Sequence, residues 1–186
     1  PTTTDGDDAT EAEEGEGAES PPAGGMMSKV AADRPQRFTV LALERQSGAV
    51  AWEGIAREAV PHEGTHGDAS WASASAVTDG EVLIAHFGSN GLFAYDLAGK
   101  KLWERDLGHM KVRGEFGEGA SPALHGDTLV VQWDHEGPCF VVALDKRTGE
   151  ERWRAERDEH TSWGSPVIAE VDGKAQVLTT GTKQIR

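Results

Sequence analysis

The sequence predicts an all-β fold: part of a β-propeller built from four-stranded antiparallel blades. Two observations predict it. Apolar runs rich in β-branched and aromatic residues alternate with turns that contain glycine. The same pattern then returns along the chain at intervals of about 45–50 residues, which is the size of one propeller blade.

The first repeated element ends in a tryptophan. An apolar strand, a turn with glycine and a tryptophan follow one another in residues 38–53, 91–107 and 139–157. The tryptophans recur at intervals of 51 and 50 residues, and the turn glycines do the same; they are Trp52, Trp103 and Trp153, with Gly48, Gly99 and Gly149. We expect each indole ring to lie on the neighbouring blade, where it can bury on the order of 150–250 Å².

The second repeated element precedes the first. A strand of small residues, a turn and another apolar strand occur in residues 72–90, 119–137 and 163–182. Their serines, Ser75, Ser121 and Ser165, are 46 and 44 residues apart. The two elements together give one unit of four short strands.

The first part of the chain has a different composition. Residues 1–25 contain eight acidic residues and no basic one, within a formal net charge of −14 for the chain. They lack the large apolar side chains needed to offset the entropy of ordering, so we expect residues 1–37 to be an acidic, low-complexity disordered segment and residues 38–186 to form the blades. The acidic balance argues against a nucleic-acid partner. No apolar window is long enough for a transmembrane segment.

Residues 62–66 read HEGTH, which matches the H-E-x-x-H motif of zinc proteases. That motif requires a helix, which places both histidines on one face. Pro61, Gly64 and Gly67 argue against a helix here, since glycine inside one costs about 1 kcal/mol relative to alanine. We therefore interpret the stretch as a polar loop. Metal binding by His62 and His66 with a carboxylate is the alternative.

One repeat carries a family resemblance. The pattern Ala-x-Asp-x-x-Thr-Gly-x-x-x-Trp is matched by Ala143, Asp145, Thr148, Gly149 and Trp153, and it resembles the tryptophan-docking repeat of PQQ-like (quinoprotein-type) β-propellers. The other two repeats follow it with small departures, in Ala94, Asp96, Gly99 and Trp103 and in Ala42, Glu44, Gly48 and Trp52. The resemblance covers residues 38–186. It implies a fragment of a seven- or eight-bladed ring and a periplasmic or secreted protein.

Polar side chains gather in the predicted connections between blades. In a propeller, the chain passes from the outermost strand of one blade to the innermost strand of the next across one face, here in residues 54–71, 108–120 and 157–163. Residues 133–137 form a further loop. Histidine, carboxylate and arginine groups that converge there could bind a ligand. The candidates are His62, Glu63, His66, Arg113, Glu115, Glu118, Trp133, Asp134, His135 and Trp163; the same loops also hold Asp68, Trp71, His109, Glu136, Asp158, Glu159 and His160. The alternative is that these residues cap strand ends and face solvent.

These observations favour a non-catalytic binding or scaffold module that contacts a protein or small-molecule ligand through this face. No nucleophile–base pair is recognisable, so no catalytic residue, metal or cofactor is assigned. Resemblance leaves two alternatives. One is a quinone-dependent alcohol or sugar dehydrogenase using PQQ and Ca²⁺, although the single Cys139 has no adjacent cysteine. The other is the sensor propeller of a larger signalling protein.

Overall fold

The computed structural model describes residues 28–186, and it is built from β-strands. Within this range, fourteen strands occur, and helical geometry is limited to two short 3-10 turns, Gly88–Asn90 and Arg113–Glu115. The predicted all-β class is therefore confirmed. The HEGTH stretch is not helical, because its last two residues form a strand. No helix in residues 28–186 is long and apolar enough to cross a membrane.

The first strands form two small sheets. Strand β1 (Lys29–Val30) pairs with β4 (Thr65–His66), and β2 (Gln36–Leu43) pairs with β3 (Val50–Ala59). The prediction of disorder through residue 37 is wrong at its end. The backbone of β1 is paired and β2 begins before Phe38, so residues 29–30 and 36–37 belong to sheets. The rest of that prediction, residues 1–27, lies outside the described residues.

Two four-stranded antiparallel sheets follow, with their strands in sequence order. We call them sheet A and sheet B, and the final two-stranded sheet the last hairpin. Sheet A consists of β5 (Val77–Thr78), β6 (Val82–His86), β7 (Leu92–Asp96) and β8 (Lys101–Arg105). Sheet B consists of β9 (Ala123–His125), β10 (Thr128–Trp133), β11 (Cys139–Asp145) and β12 (Glu151–Arg157); the last hairpin is β13 (Val167–Val171) and β14 (Lys174–Leu178).

The sheets pack face to face around their middle strands. Ile84 and Leu92 of sheet A and Leu129 and Val142 of sheet B are buried in one apolar cluster. Burying an aliphatic side chain of this size contributes about 1.5–3 kcal/mol. The short first strands lie side by side, since β9 contacts both β5 and β13. The connections that lead into β5, β9 and β13 therefore lie next to one another, and we call the surface they form the loop face.

The tryptophans of the first two repeats contact the sheet that follows. Trp52 Nε1 donates to the Leu97 carbonyl (3.0 Å), and Trp103 Nε1 donates to the Lys146 carbonyl (2.9 Å). Each ring lies against the turn glycine of the next sheet. A Cβ would stand 2.7 Å from the Trp52 ring at Gly99 and 2.8 Å from the Trp103 ring at Gly149. Trp153 is 42% exposed in the described part of the chain.

The repeated serines form a second link between sheets. The Ser75 amide donates to Ser121 Oγ (2.9 Å), and the Ser121 amide donates to Ser165 Oγ (2.9 Å). One sequence position therefore makes the same hydrogen bond twice, from each sheet to the next. This repetition shows that sheet B follows sheet A in the same relation as the last hairpin follows sheet B.

The ring-to-glycine contact predicts a stability difference between two alanine substitutions. Gly149 has φ +70° and a close ring, whereas Gly48 has φ +72° in the same turn of the first repeat and nothing within 4 Å of its Cβ position. Both substitutions carry the left-handed strain of about 1–2 kcal/mol. Gly149→Ala should lower the free energy of unfolding by about 1–3 kcal/mol more than Gly48→Ala, because its methyl group overpacks against Trp103. Urea unfolding measures both losses, and equal losses would contradict the packing role of the ring.

Candidate functional site

Residues 110–113 lie at the loop face, and their backbone groups form hydrogen bonds with side chains and backbone from several connections. We call these residues the central segment. On one side, the Met110 amide donates to Ser89 Oγ (2.8 Å), and the Met110 carbonyl accepts from His62 Nε2 (2.6 Å). The Val112 amide donates to Glu63 Oε2 (3.0 Å). The segment has no strand partner, so these side chains supply the hydrogen bonds that a sheet would otherwise provide.

The other side of the central segment is held by sheet B and the chain that follows it. The Lys111 amide donates to His135 Nδ1 (3.0 Å), and the Lys111 carbonyl accepts from the Glu136 amide (2.8 Å). The Arg113 amide donates to Thr161 Oγ1 (2.9 Å). Groups from residues 62–63, 89, 135–136 and 161 thus converge on four consecutive residues.

Three predicted ligand residues take part in this convergence. His62, Glu63 and His135 each bond the backbone of the central segment, and the His62 ring also stacks on His109 with the ring centroids 4.7 Å apart. The Glu63 carbonyl accepts a further hydrogen bond from Trp71 Nε1 (2.8 Å). These three side chains therefore hold loop backbone, which differs from the alternative stated above, in which the loop residues cap strand ends and face solvent.

Two other predicted ligand residues belong to the interior. Trp133 is only 1% exposed, because it is the last residue of β10 and stacks on Phe140 at 5.8 Å. Asp134 is buried in a two-point ion pair with Arg157, with N–O distances of 2.8 and 3.0 Å. The prediction of these two residues as face-loop ligands is therefore wrong. Both side chains are buried, so neither belongs to the exposed surface of the loop.

Glu118 lies where the connections from both sheets meet. Its carboxylate accepts from the Ser89 amide (2.6 Å) and from the Ser89 hydroxyl. Burial raises the pKa of Glu118, and the hydrogen bonds from Ser89 oppose that change. Gly88 is required beside it, since a Cβ there would stand 1.4 Å from Glu118 Oε2.

An open depression of about 420 Å³ lies beside Glu118; we call it the loop-face depression. Its lining comprises His66, Asp68, Ala69, Ser73, Phe116, Gly117, Glu118, Gly119 and Trp163. Trp163 is 47% exposed, and its Nε1 donates to the Gly117 carbonyl (2.8 Å). Phe116 meets the His66 ring edge-on at 5.6 Å. The depression combines a fixed aromatic surface with two carboxylates.

The predicted residues divide between the depression and its surroundings. His66, Glu118 and Trp163 line it. Arg113 and Glu115 do not; they form ion pairs with Glu136 (3.4 Å) and Lys29 (3.8 Å), respectively. Phe116 and Ser73 also line the depression, although the sequence did not single them out. Phe116 sits between two glycines in a loop that lacks strand periodicity, so its sequence context carried no signal.

Metal-ligating side chains are not clustered in the described residues. No group of three or more His, Cys, Asp or Glu side chains placed to hold a metal ion is found in residues 28–186. The alternative of a His62–His66 metal pair has no support, since His62 Nε2 bonds a carbonyl and His66 Nδ1 accepts from the Asp68 amide (3.1 Å). Calcium takes about six to eight oxygen ligands, with carboxylates prominent among them, and residues 28–186 hold no cluster of three or more Asp, Glu, His or Cys side chains to contribute to such a set.

Two buried histidines predict a pH dependence of stability. His135 Nδ1 accepts from two amides, Lys111 and Gly137 (3.2 Å), which fixes the neutral form, and burial lowers its pKa. Burial also lowers the pKa of His86 to about 4. Unfolding returns both groups to an ordinary pKa of about 6.5, so the unfolded chain binds more protons just below that pH. The contribution of these two histidines to the free energy of unfolding is therefore complete above about pH 6.5 and is lost as the pH drops toward 4.

Urea unfolding at pH 7, 6 and 5 measures this loss. We expect His135→Gln and His86→Gln each to reduce the difference between pH 7 and pH 5. His125→Gln is the control, because His125 is exposed. If neither buried variant reduces the pH dependence, these two histidines are not its source.

Comparison with known proteins identifies the fold. A family model described as "Outer membrane protein assembly factor BamB" matches residues 10–116 and 98–185. No curated protein matches the sequence. The structure of BamB from Moraxella catarrhalis is similar, with 19% identity, a TM-score of 0.50, and coverage of 77% of this chain and 40% of that one.

Quinoprotein enzymes give shorter matches. Quinohemoprotein alcohol dehydrogenase from Comamonas testosteroni is 16% identical over 63% of this chain and 18% of its own, with a TM-score of 0.43. A europium-containing methanol dehydrogenase is 17% identical over 66% and 22%, with a TM-score of 0.42. The chain thus spans less than half the length of each of these proteins. The match of the family model along nearly all of the chain, together with the four-stranded sheets, shows that the chain belongs to the PQQ-like, BamB-type family of β-propeller repeat proteins.

Proposed function

We propose that this chain is part of an exported, non-catalytic β-propeller that binds another protein through its loop face. The observation that carries the proposal is the exposed, fixed ring of Trp163 in the loop-face depression. Its indole N–H is already bonded to Gly117, so a partner can cover the ring without leaving a buried donor unpaired. Tryptophan is the residue type most enriched at energetically dominant contact positions.

The rigidity of the surrounding loops supports the same proposal. The central segment adjoins the depression through Phe116 and Gly117, and its amides are held by fixed partners on both sides. A surface that is ordered before binding loses less conformational entropy when the partner arrives. The loop face is therefore suited to recognition with little rearrangement.

The polar groups near the depression are suited to structure rather than to chemistry. Cys139 is buried, its Sγ donates to the His135 carbonyl (3.1 Å), and burial raises its pKa, so its thiolate is disfavoured. His62 and His135 use their ring nitrogens on backbone groups of the central segment. These two histidines are thus engaged in holding the loops, and His66, which lines the depression, accepts a hydrogen bond from the Asp68 amide.

Family membership supports the proposed class and location. The matching family model is described as an outer membrane protein assembly factor, which is a role in assembly rather than in catalysis. The solved structure that supports the fold is also a BamB. By this relationship we propose a periplasmic or secreted location for the protein that contains this chain.

Site-specific photocrosslinking in the source cell tests the binding surface. A photoreactive phenylalanine analogue at Trp163 should give a discrete crosslinked protein, because the partner covers that ring. The same analogue at Leu102, which is 42% exposed on β8, is the matched control and should give none. Absence of an adduct at 163, or equal adducts at both positions, would reject the loop-face depression as the contact.

Titration with PQQ and Ca²⁺ tests the non-catalytic assignment. On this proposal the complete protein should show no saturable change in PQQ absorbance and no dye-linked oxidation of alcohols or sugars; residues 28–186 contribute no cluster of three or more Asp, Glu, His or Cys side chains to a metal site. A saturable, calcium-dependent spectral change would replace the binding proposal with the dehydrogenase alternative.

A further inference from the structure

The loop-face depression is lined by two carboxylates, and the one basic side chain in its lining is His66, whose Nδ1 lies 3.8 Å from Asp68 Oδ2. The lining includes the carboxylates of Asp68 and Glu118 and neither lysine nor arginine. The Asp68 side chain is 65% exposed, so it is accessible to a partner. The charge agrees in sign with the whole chain, whose formal net charge is −14. A positively charged partner would be attracted both at long range and at the depression.

The neighbouring cations do not neutralise the depression, because they have partners of their own. Arg113 pairs with Glu136 at 3.4 Å, and Lys29 pairs with Glu115 at 3.8 Å. Neither cation lines the depression.

The exposed face of Trp163 is the second attractive element for a cation. One edge of the ring faces Gly119, where a Cβ would stand 3.3 Å from Trp163 Cδ1, and its N–H is bonded to Gly117. What remains for a partner is a π face with no free donor. An aromatic face attracts a cation, and tryptophan does so most strongly. The chain makes such stacks elsewhere, with Arg154 over Phe140 at 4.0 Å.

We propose that the loop-face depression recognises a basic side chain, arginine or lysine, on an exposed segment of the protein partner. This inference rests on the proposed binding function and names the chemistry of its partner. The cationic head lies over Trp163 and pairs with Asp68, while the methylene stem packs against Phe116. An anionic group would meet two carboxylates in the same place. A purely apolar group would cover Asp68 without satisfying it.

Two labelled peptides test this inference on the purified complete protein by fluorescence anisotropy. They share a short sequence with leucines on both sides of one central residue, which is arginine in one peptide and glutamine in the other. We expect the arginine peptide to bind at least about threefold tighter, with the preference weakening as the salt concentration rises. Equal binding of the two peptides would overturn the inference, and so would tighter binding of the glutamine peptide.

Three variants distinguish recognition of a cation at this site from nonspecific peptide binding. Trp163→Leu and Asp68→Asn should each weaken binding of the arginine peptide by about 3–10-fold and reduce its preference over glutamine, whereas Trp163→Phe should retain most of it. Asp106→Asn is the control, because that exposed carboxylate lies in a different depression. An unchanged arginine preference in both Trp163→Leu and Asp68→Asn would overturn the site.

Failure of this inference can be distinguished from failure of the proposed function. A crosslinked partner at position 163 without any arginine preference would leave protein binding in place and reject the basic side chain. A preference for the arginine peptide that both variants abolish, without a crosslink in the cell, would support the cation site and reject the proposed cellular contact. Urea unfolding of each variant shows that the compared proteins are equally folded.

Discussion

The hydrogen bonding of the central segment is the constraint on which the loop face depends. Residues 110–113 cross between sheets, where no strand is available to pair their amides. A buried amide left without a partner costs about 1–3 kcal/mol. The chain meets this demand with acceptors from Glu63, Ser89, His135 and Thr161, and His62 donates to the Met110 carbonyl. Polar residues that resemble a catalytic or metal-binding set are thereby used to fix a backbone.

This requirement also explains the position of the exposed surface. Because the polar side chains around the central segment bond its backbone, the depression is lined by residues next to it, among them Phe116, Glu118 and Trp163. The candidate binding surface is thus a consequence of how the loops are held. Its aromatic groups have contacts of their own, since Trp163 donates to the Gly117 carbonyl and Phe116 meets the His66 ring.

The repeated parts of the structure could be predicted from the sequence, because each repeat meets the same packing problem. The indole of Trp103 needs a flat surface, and Gly149 provides one in the next sheet. Ser121 Oγ accepts a hydrogen bond from the Ser75 amide, and Ser165 Oγ accepts the equivalent bond from the Ser121 amide. Constant spacing of these residues therefore predicts the fold, including the number of strands in each unit.

The site was harder to predict, because its residues do not repeat and come from distant connections. Residues 133–137 have the composition of a polar turn, which suggested exposed ligands. Only tertiary packing shows that Trp133 stacks on Phe140 and that Asp134 meets Arg157 in the interior. Phe116 gave no periodic signal. The end of the acidic segment was misplaced for a related reason, since β1 is ordered by pairing with β4, more than 30 residues away.

The links through Trp52, Trp103 and the serines all run between adjacent sheets, and none skips one. Their energetics should therefore resemble a chain of nearest-neighbour couplings, as in other repeat architectures. A substitution at one interface should weaken the contact between those two sheets and leave the other interfaces unchanged. The central segment adds a further coupling between sheets A and B, because its backbone is bonded by Ser89 on one side and by His135 on the other.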